Sequence, residues 1–365
     1  MRHRLALDRD ASIVAADPGP SHNRLHPGIA PVATIDPGDE LEADCRDGMD
    51  GELRRAASAG ALRDVDLGAN HPLTGPVAVR GARPGDVLVV ELLALDPGAV
   101  GSTAVIPGFG LLSDRFPEPL LVRWDIADGV ARSEALPGVA IAGRPFLGAV
   151  AVAPSAELLA RATAREAALG VAALPPDPQG AVPQGAIGRE GLRTIPPREN
   201  GGNLDIRQLT VGSRLHLPVH VDGALLSLGD AHFAQGDGES CGTAIEVAAT
   251  ARVRVTLRGA GEPGFRSAMP AYEYLEEPRP EPRRWIATTG IPVGGDGANA
   301  DMDVRLAARN ALSELVDWIA AERGLTPEAA YVLASVAADL RISEVVNVPN
   351  PLVSAALPLD VFEDR

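Results

Sequence analysis

The residues best suited to chemistry lie on one short segment. Over residues 224–233 the hydrophobic pattern alternates, which predicts a strand whose side chains project to opposite faces with period two. One face carries Ala224, Leu226 and Leu228, then Asp230 and His232. An inward row that turns from apolar to a carboxylate and an imidazole must line a cavity or pair those groups internally. Two chemistries fit: a pair of ligands on one divalent metal, or a structural Asp–His hydrogen bond at a sheet edge. The next residues, Gln235-Gly236-Asp237-Gly238-Glu239, set two acids and an amide around two glycines, as a ligand-contacting loop or an ordinary polar hairpin would. Glu246 shares a strand face with Ala244 and Ala248 that continues into Arg252 and Arg254, so it reads either as a general base or as one end of a solvated ion pair. Gly201-Gly202-Asn203-Leu204-Asp205 suits a loop that presents Asn203 and Asp205 inward, or an Asx-type turn. His71, in Asn70-His71-Pro72 just before a predicted strand, is a binding candidate or a satisfied turn residue. Cys241, between two strands and away from any helix N-terminus, reads as a small buried hydrophobe rather than a thiolate nucleophile. No Gly-x-Ser-x-Gly elbow occurs, and Gly108-Phe109-Gly110 lacks the context of a phosphate loop.

The elements that must hold these residues are mostly short strands. Residues 1–150 form a β-rich region in which Pro37-Gly38-Asp39 and Pro84-Gly85-Asp86 each punctuate a pair of strands. Residues 151–190 hold a helix (155–169) followed by a Pro/Gly-rich excursion (170–188). Residues 191–298 contain an antiparallel meander: a strand at 214–221, an Asp222-Gly223 hairpin turn, the strand at 224–233, and a third at 243–257. Residues 299–365 hold a helix at 303–323 stopped by Gly324, a second helix capped by Thr326 with Pro327 at its first position and running to about 340, and a closing extended segment at 352–362. The architecture expected is a β-sandwich-like body with a late helical hairpin.

Composition narrows the function classes. The chain has 365 residues with 33 Lys plus Arg against 49 Asp plus Glu, a net charge of −16, and every one of its basic residues is Arg. Such an acidic surface argues against nucleic acid and anionic membranes as partners. The 39 glycines and 32 prolines favour a turn-rich β protein, and aromatic residues at 3% leave the core to aliphatic side chains. Two cysteines can make neither a zinc ribbon nor a disulfide scaffold. Residues 1–30 lack an apolar signal region and no stretch is long enough to span a bilayer, so a soluble, cytoplasmic protein is expected.

The motifs taken in order resemble the acetamidase/formamidase family. The resemblance is carried by Gly201-Gly202-Asn203-Leu204-Asp205, Gly229-Asp230-Ala231-His232, Gln235-Gly236-Asp237-Gly238-Glu239 and Cys241-Gly242-Thr243-Ala244-Ile245-Glu246. His22-Asn23-Arg24-Leu25-His26-Pro27, Thr74-Gly75-Pro76-Val77, Pro84-Gly85-Asp86, Pro196-Pro197-Arg198-Glu199-Asn200 and Asp339-Leu340-Arg341-Ile342-Ser343 agree in order, so it spans nearly the whole chain. It implies a mainly β fold with an α+β portion and a jelly-roll-like body, a homo-oligomer, hydrolysis of short aliphatic amides to carboxylate and ammonia, and a divalent metal, with zinc as the expected ion. Combined with the strand-face switch, it makes Asp205, Asp230 and His232 the expected ligands. Glu246 or Asp237 would take the proton of the attacking water, and Asn203, Gln235 and His71 would contact the amide. Arg80, where an acid is usual, Ala338, where a Cys is usual, and the length of 170–188 depart from the pattern and bear on substrate preference. Two other readings stand beside it: a non-catalytic ligand-binding β protein with a structural ion, and a metal-free hydrolase using Cys241.

Overall fold

The structure is a computed structural model of the whole chain, and it describes residues 1–14, 18–168, 179–264, 268–275 and 283–363. Residues 170–178 of the expected 170–188 excursion lie outside the described residues. Its end, at Ala186–Glu190, is a short helix.

The fold is β-rich α+β. A six-stranded sheet runs in the order Arg2–Leu5, Glu40–Cys45, Ala249–Arg258, Val87–Pro97, Arg214–Pro218, Ala271–Glu273. An eleven-stranded sheet has Leu226–His232 near its centre, hydrogen-bonded to Phe146–Ala151, Glu246–Val247 and Leu73–Val79. One continuous apolar cluster joins the two, with Leu41, Ala43 and Val253 from the first sheet and Val77, Leu226 and Leu228 from the second. Aliphatic residues dominate it, as the shortage of aromatics required.

The expected meander is not formed. Arg214–Pro218 pairs with Val87–Pro97 in the six-stranded sheet and not with Leu226–His232, so Asp222-Gly223 turns the chain from one sheet to the other. The single strand expected at 243–257 is divided in the same way. Glu246–Val247 belongs to the eleven-stranded sheet and Ala249–Arg258 to the other, with Ala248 at the corner. Strands that change sheets at a bend keep an unbroken alternating sequence, so periodicity does not reveal the change of partner.

The late helices fall where caps and periodicity placed them. Val304–Arg323 begins at the Asp303 side chain and ends at left-handed Gly324, with Ala311, Leu315 and Ile319 buried. Pro327–Ala337 is capped by Thr326 and stops at Ala337, short of the expected 340, because Asp339–Glu344 joins a three-stranded sheet with Leu352–Pro358 and Trp285–Gly290. The buried second helix holds the loop beside the site. Tyr331 Oη accepts from Leu112 N at 2.9 Å and donates to Ser240 O. Ser335 Oγ accepts from Cys241 N at 3.0 Å and donates to Thr243 O at 2.9 Å.

His22 ties an N-terminal strand to the central one: Nδ1 lies 2.7 Å from Arg24 O and Nε2 2.7 Å from Ser227 Oγ. The carbonyl can only accept, so Nδ1 carries the proton and Nε2 accepts from the serine hydroxyl. Burial pushes its pKa down to about 4 from 6.5, against the opposing pull of the Arg24 carbonyl. The unfolded chain therefore binds this proton between pH 6.5 and 4 and the folded chain does not. The contribution is complete above 6.5 and is lost as pH falls through that window, about 3 kcal/mol in all. Urea unfolding of His22→Gln, which hydrogen-bonds without titrating, is expected to show a correspondingly shallower loss of stability with acidification than the parent.

Candidate active site

A cavity of about 250 Å³ opens beside the end of the central strand. Asp230, His232, Glu246, Glu239, Asp205, Asn203 and His71 all line it. Asp230 and His232 come from Leu226–His232, and Glu246 is the cross-strand neighbour of His232. The three side chains meet: His232 Nε2 is 3.3 Å from Asp230 Oδ1 and 3.3 Å from Glu246 Oε2. Asp205 arrives on the loop after Gly201–Asn203, where Leu204 N and Asp205 N both donate to Gly148 O at 2.8 and 3.2 Å. Ligand atoms of Asp205, Asp230 and His232 lie within 4.8 Å of one another, as do those of His232, Glu239 and Glu246.

Asp205, Asp230 and Glu239 all take a left-handed backbone, with φ of 49°, 56° and 42°. Non-glycine residues adopt it sparingly, and clustering at one site marks side chains turned by the fold to a common point. At Asp230 this turn coincides with the change from apolar to polar side chains. Opposite it stands Gly148, where a Cβ would come within 2.6 Å of Asp205 Oδ1 and 2.7 Å of Asp230 Oδ2. Gly148→Ala is thus expected to push the two carboxylates apart, lowering amide turnover by about tenfold or more while leaving the unfolding midpoint within a few degrees. Assays of ammonia release beside a thermal melt check this.

The imidazole is oriented on every side. Gln235 Nε2 donates to Asp205 O at 2.8 Å, which fixes the amide and leaves Oε1, 2.8 Å from His232 Nδ1, as an acceptor. Nδ1 therefore bears a proton and Nε2 faces the acids. The Phe146 ring meets the imidazole edge-on, with centroids 5.0 Å apart. Burial by itself would lower the His232 pKa, but Glu246 and Asp230 outweigh it and hold it well above its ordinary value. Burial, then the charge of Asp230, pushes Asp205 up, whereas His71 and His232 hold Asp230 down despite its burial. Burial, reinforced by Asp205, also pushes Glu239 well above the carboxylate range.

The donor set fits a divalent cation. Four carboxylates, of Asp205, Asp230, Glu239 and Glu246, gather in two groups around the His232 imidazole, and Asp205 Oδ1 is enclosed without a hydrogen-bond partner. Glu246 Oε2 has no donor besides the imidazole, while Oε1 accepts from Ala244 N at 3.0 Å. A cation satisfies such acceptors, which otherwise are costly to bury.

Two of the expected residues are placed elsewhere. Asp237 turns to Arg207, 3.1 Å from its Nε, and to Gln208, because its neighbour Gly238 and not Asp237 lines the cavity. Gln235 has both ends of its amide engaged by His232 and Asp205, so it positions those residues and does not line the cavity. Glu239, present in the motif but given no role from sequence, lines the cavity where Asp237 does not. Arg252 and Arg254 pair with Glu40 and Glu91 in the other sheet, so Glu246 is not half of an ion pair with them. Cys241 is buried outside the cavity lining with its sulfur against Ala104 O and Thr243 O, and burial pushes its thiol up. The apolar side chains that line the same cavity (Met49, Leu67, Ile106, Phe109, Ile195) come from four distant stretches and left no signal in the sequence.

Comparison with known proteins agrees with the motifs. A family model described as the Acetamidase/Formamidase family matches residues 7–364. An acetamidase of Mycolicibacterium smegmatis is 38% identical, covering 86% of this chain and 84% of its own. A formamidase of Methylophilus methylotrophus is 35% identical, covering 100% and 94%. Among solved structures, a gamma lactamase from Delftia acidovorans superposes with a TM-score of 0.92 at 34% identity, covering 100% of this chain and 94% of that one. The class so defined is a hydrolase acting on the carbon–nitrogen bonds of linear amides. Within it, the chain belongs to the acetamidase/formamidase family. No helix among the described residues is long and apolar enough to cross a membrane.

Proposed function

We propose that the enzyme hydrolyses short aliphatic amides to carboxylate and ammonia with the assistance of a divalent metal, zinc being the ion expected, held by Asp205, Asp230 and His232. The observation that carries this reading is the convergence of those three ligand atoms within 4.8 Å around an enclosed, unpartnered Asp205 Oδ1. An amide resists attack because resonance lowers the electrophilicity of its carbonyl carbon. When bound, the ion would polarise the carbonyl oxygen and acidify the attacking water. Asn203, whose Oδ1 is buried without a partner, accepts from the amide NH₂ and, with His71, orients it. Glu246, fixed at Oε1 by the Ala244 N–H, takes the proton of the attacking water at Oε2. As the carbon–nitrogen bond breaks, Glu239 gives a proton to the leaving nitrogen, and the proton on Glu246 returns to it within the same cluster.

Dialysis against a chelator should abolish ammonia release from formamide and acetamide, and added zinc should restore it with about one ion per chain. Undiminished turnover in protein shown by mass spectrometry to be metal-free would sink the reading. Because His232 Nε2 would hold either a proton or the ion, metal content is expected to fall as pH is lowered. A ring amide is a second candidate substrate, favoured by the size of the cavity and by the lactamase likeness; turnover of a γ-lactam tests it. We further propose that the enzyme is a homo-oligomer. Ile342, Val346 and Val348, 61%, 75% and 74% exposed, support association.

A further inference from the structure

The cavity is lined both by the acids and by the apolar side chains Met49, Leu67, Ile106, Phe109 and Ile195, so a bound amide turns its nitrogen and oxygen to the acids and its acyl group to the apolar side chains. One wall residue stands apart. Phe109 is 38% exposed, at the rim, whereas Ile106 and Met49 are buried. It is held between Gly108 and Gly110, whose φ values of 80° and 95° are left-handed, on the turn that follows strand Val100–Val105. Phe109 N donates to Ile106 O at 3.0 Å, and Leu111 N to Ser240 O at 2.8 Å, which anchors the turn to the loop beside the site. The ring lies directly over Gly242, where a Cβ would stand 2.3 Å from Cδ1 and 2.5 Å from Cε1. Gly242 lines the cavity too, and its missing side chain is what lets the ring reach the rim.

We propose that Phe109, seated on Gly242, is the specificity-determining residue for the acyl group, and that the favoured amides carry an aliphatic chain of a few carbons rather than the lone hydrogen of formamide. The proposal rests on the reading that the acids bind the amide end. An apolar cavity of about 150 Å³ suffices for benzene, so about 250 Å³ leaves room well beyond a formyl group. Each methylene laid on an apolar wall is worth roughly fourfold in kcat/KM.

The test is a series of formamide, acetamide, propionamide, butyramide and hexanamide on the parent, Phe109→Ala, Gly242→Ala and the double variant. In the parent, kcat/KM should climb roughly fourfold per carbon as far as butyramide. Phe109→Ala should lower butyramide about tenfold, mainly in KM, leave formamide within about threefold, and raise hexanamide relative to butyramide. Gly242→Ala displaces the ring and should alter the butyramide-to-formamide ratio, with no further change of that ratio in the Phe109→Ala background. A series that does not climb in the parent, or an equal loss on every amide in Phe109→Ala, overturns the proposal. Thermal-shift titration with formate, acetate and butyrate reads the same wall without turnover: butyrate binding should weaken in Phe109→Ala and formate binding should not, and unchanged butyrate binding overturns it. Loss of all amide turnover with this carboxylate pattern intact would fault the reading of the acids and not that of Phe109.

Discussion

Replacement of His232 or Asp230 by Ala is expected to remove the bound ion and nearly all ammonia release together. His232 Nε2 is the nitrogen turned to the acids, 3.3 Å from Asp230 Oδ1, and Asp205 offers a further oxygen within 4.8 Å of both ligand atoms. Charge stabilisation by a metal is worth several kcal/mol, and each 1.36 kcal/mol is tenfold, so the loss should be on the order of 10³-fold. Both residues are almost wholly buried, and deleting one partner of a buried charged pair destabilises by about 3–5 kcal/mol. Asp230→Asn, which keeps the volume and most hydrogen bonds, separates chemistry from folding. It should melt near the parent temperature with metal content and activity both reduced. Metal and activity retained in all three variants would falsify the ligand assignment.

The second large effect belongs to Glu246. Its Oε1 is tied to the Ala244 N–H and its Oε2 faces the imidazole, so Glu246→Gln keeps the shape and removes a proton acceptor. Loss of a general base costs about 10²–10⁴ in rate. The fall should lie in kcat, with KM within a few-fold and metal content near that of the parent. Glu239→Gln is expected to behave similarly. Asp237→Asn, whose carboxylate faces Arg207 outside the cavity, should stay within about tenfold of the parent. An inert Glu246→Gln beside a crippled Asp237→Asn would reverse the two assignments.

Much of the site was legible in residue order. The switch at Leu228, Asp230 and His232 narrowed the strand end to a cavity lining or an internal Asp–His pair, because an apolar row that turns ionic has few stable placements. The paired glycines of Gly201-Gly202 suited a loop that brings Asn203 and Asp205 inward, but an Asx-type turn suited them as well. Of the two acids in Gln235-Gly236-Asp237-Gly238-Glu239, the sequence could not say which faces the cavity. That depends on the left-handed turn at Glu239 and on Arg207, a partner thirty positions upstream of Asp237, waiting on the other side. Nor could it show Gly148, whose role exists only because Asp205 and Asp230 close over it.

The division follows from the range of the forces involved. Alternation, caps and turn residues act over a few neighbours, so the sequence by itself determined the β-rich body, both late helices with the Gly324 stop and the Thr326 cap between them, the family, and most of the acids and imidazoles that line the cavity. Which strands pair is decided by burial summed across the molecule. Only the tertiary structure could send Arg214–Pro218 and Ala249–Arg258 to one sheet and Leu226–His232 and Glu246–Val247 to the other. That partition sets Glu246 beside His232 at the cavity, away from Arg252 and Arg254, with which a simple meander would have paired it.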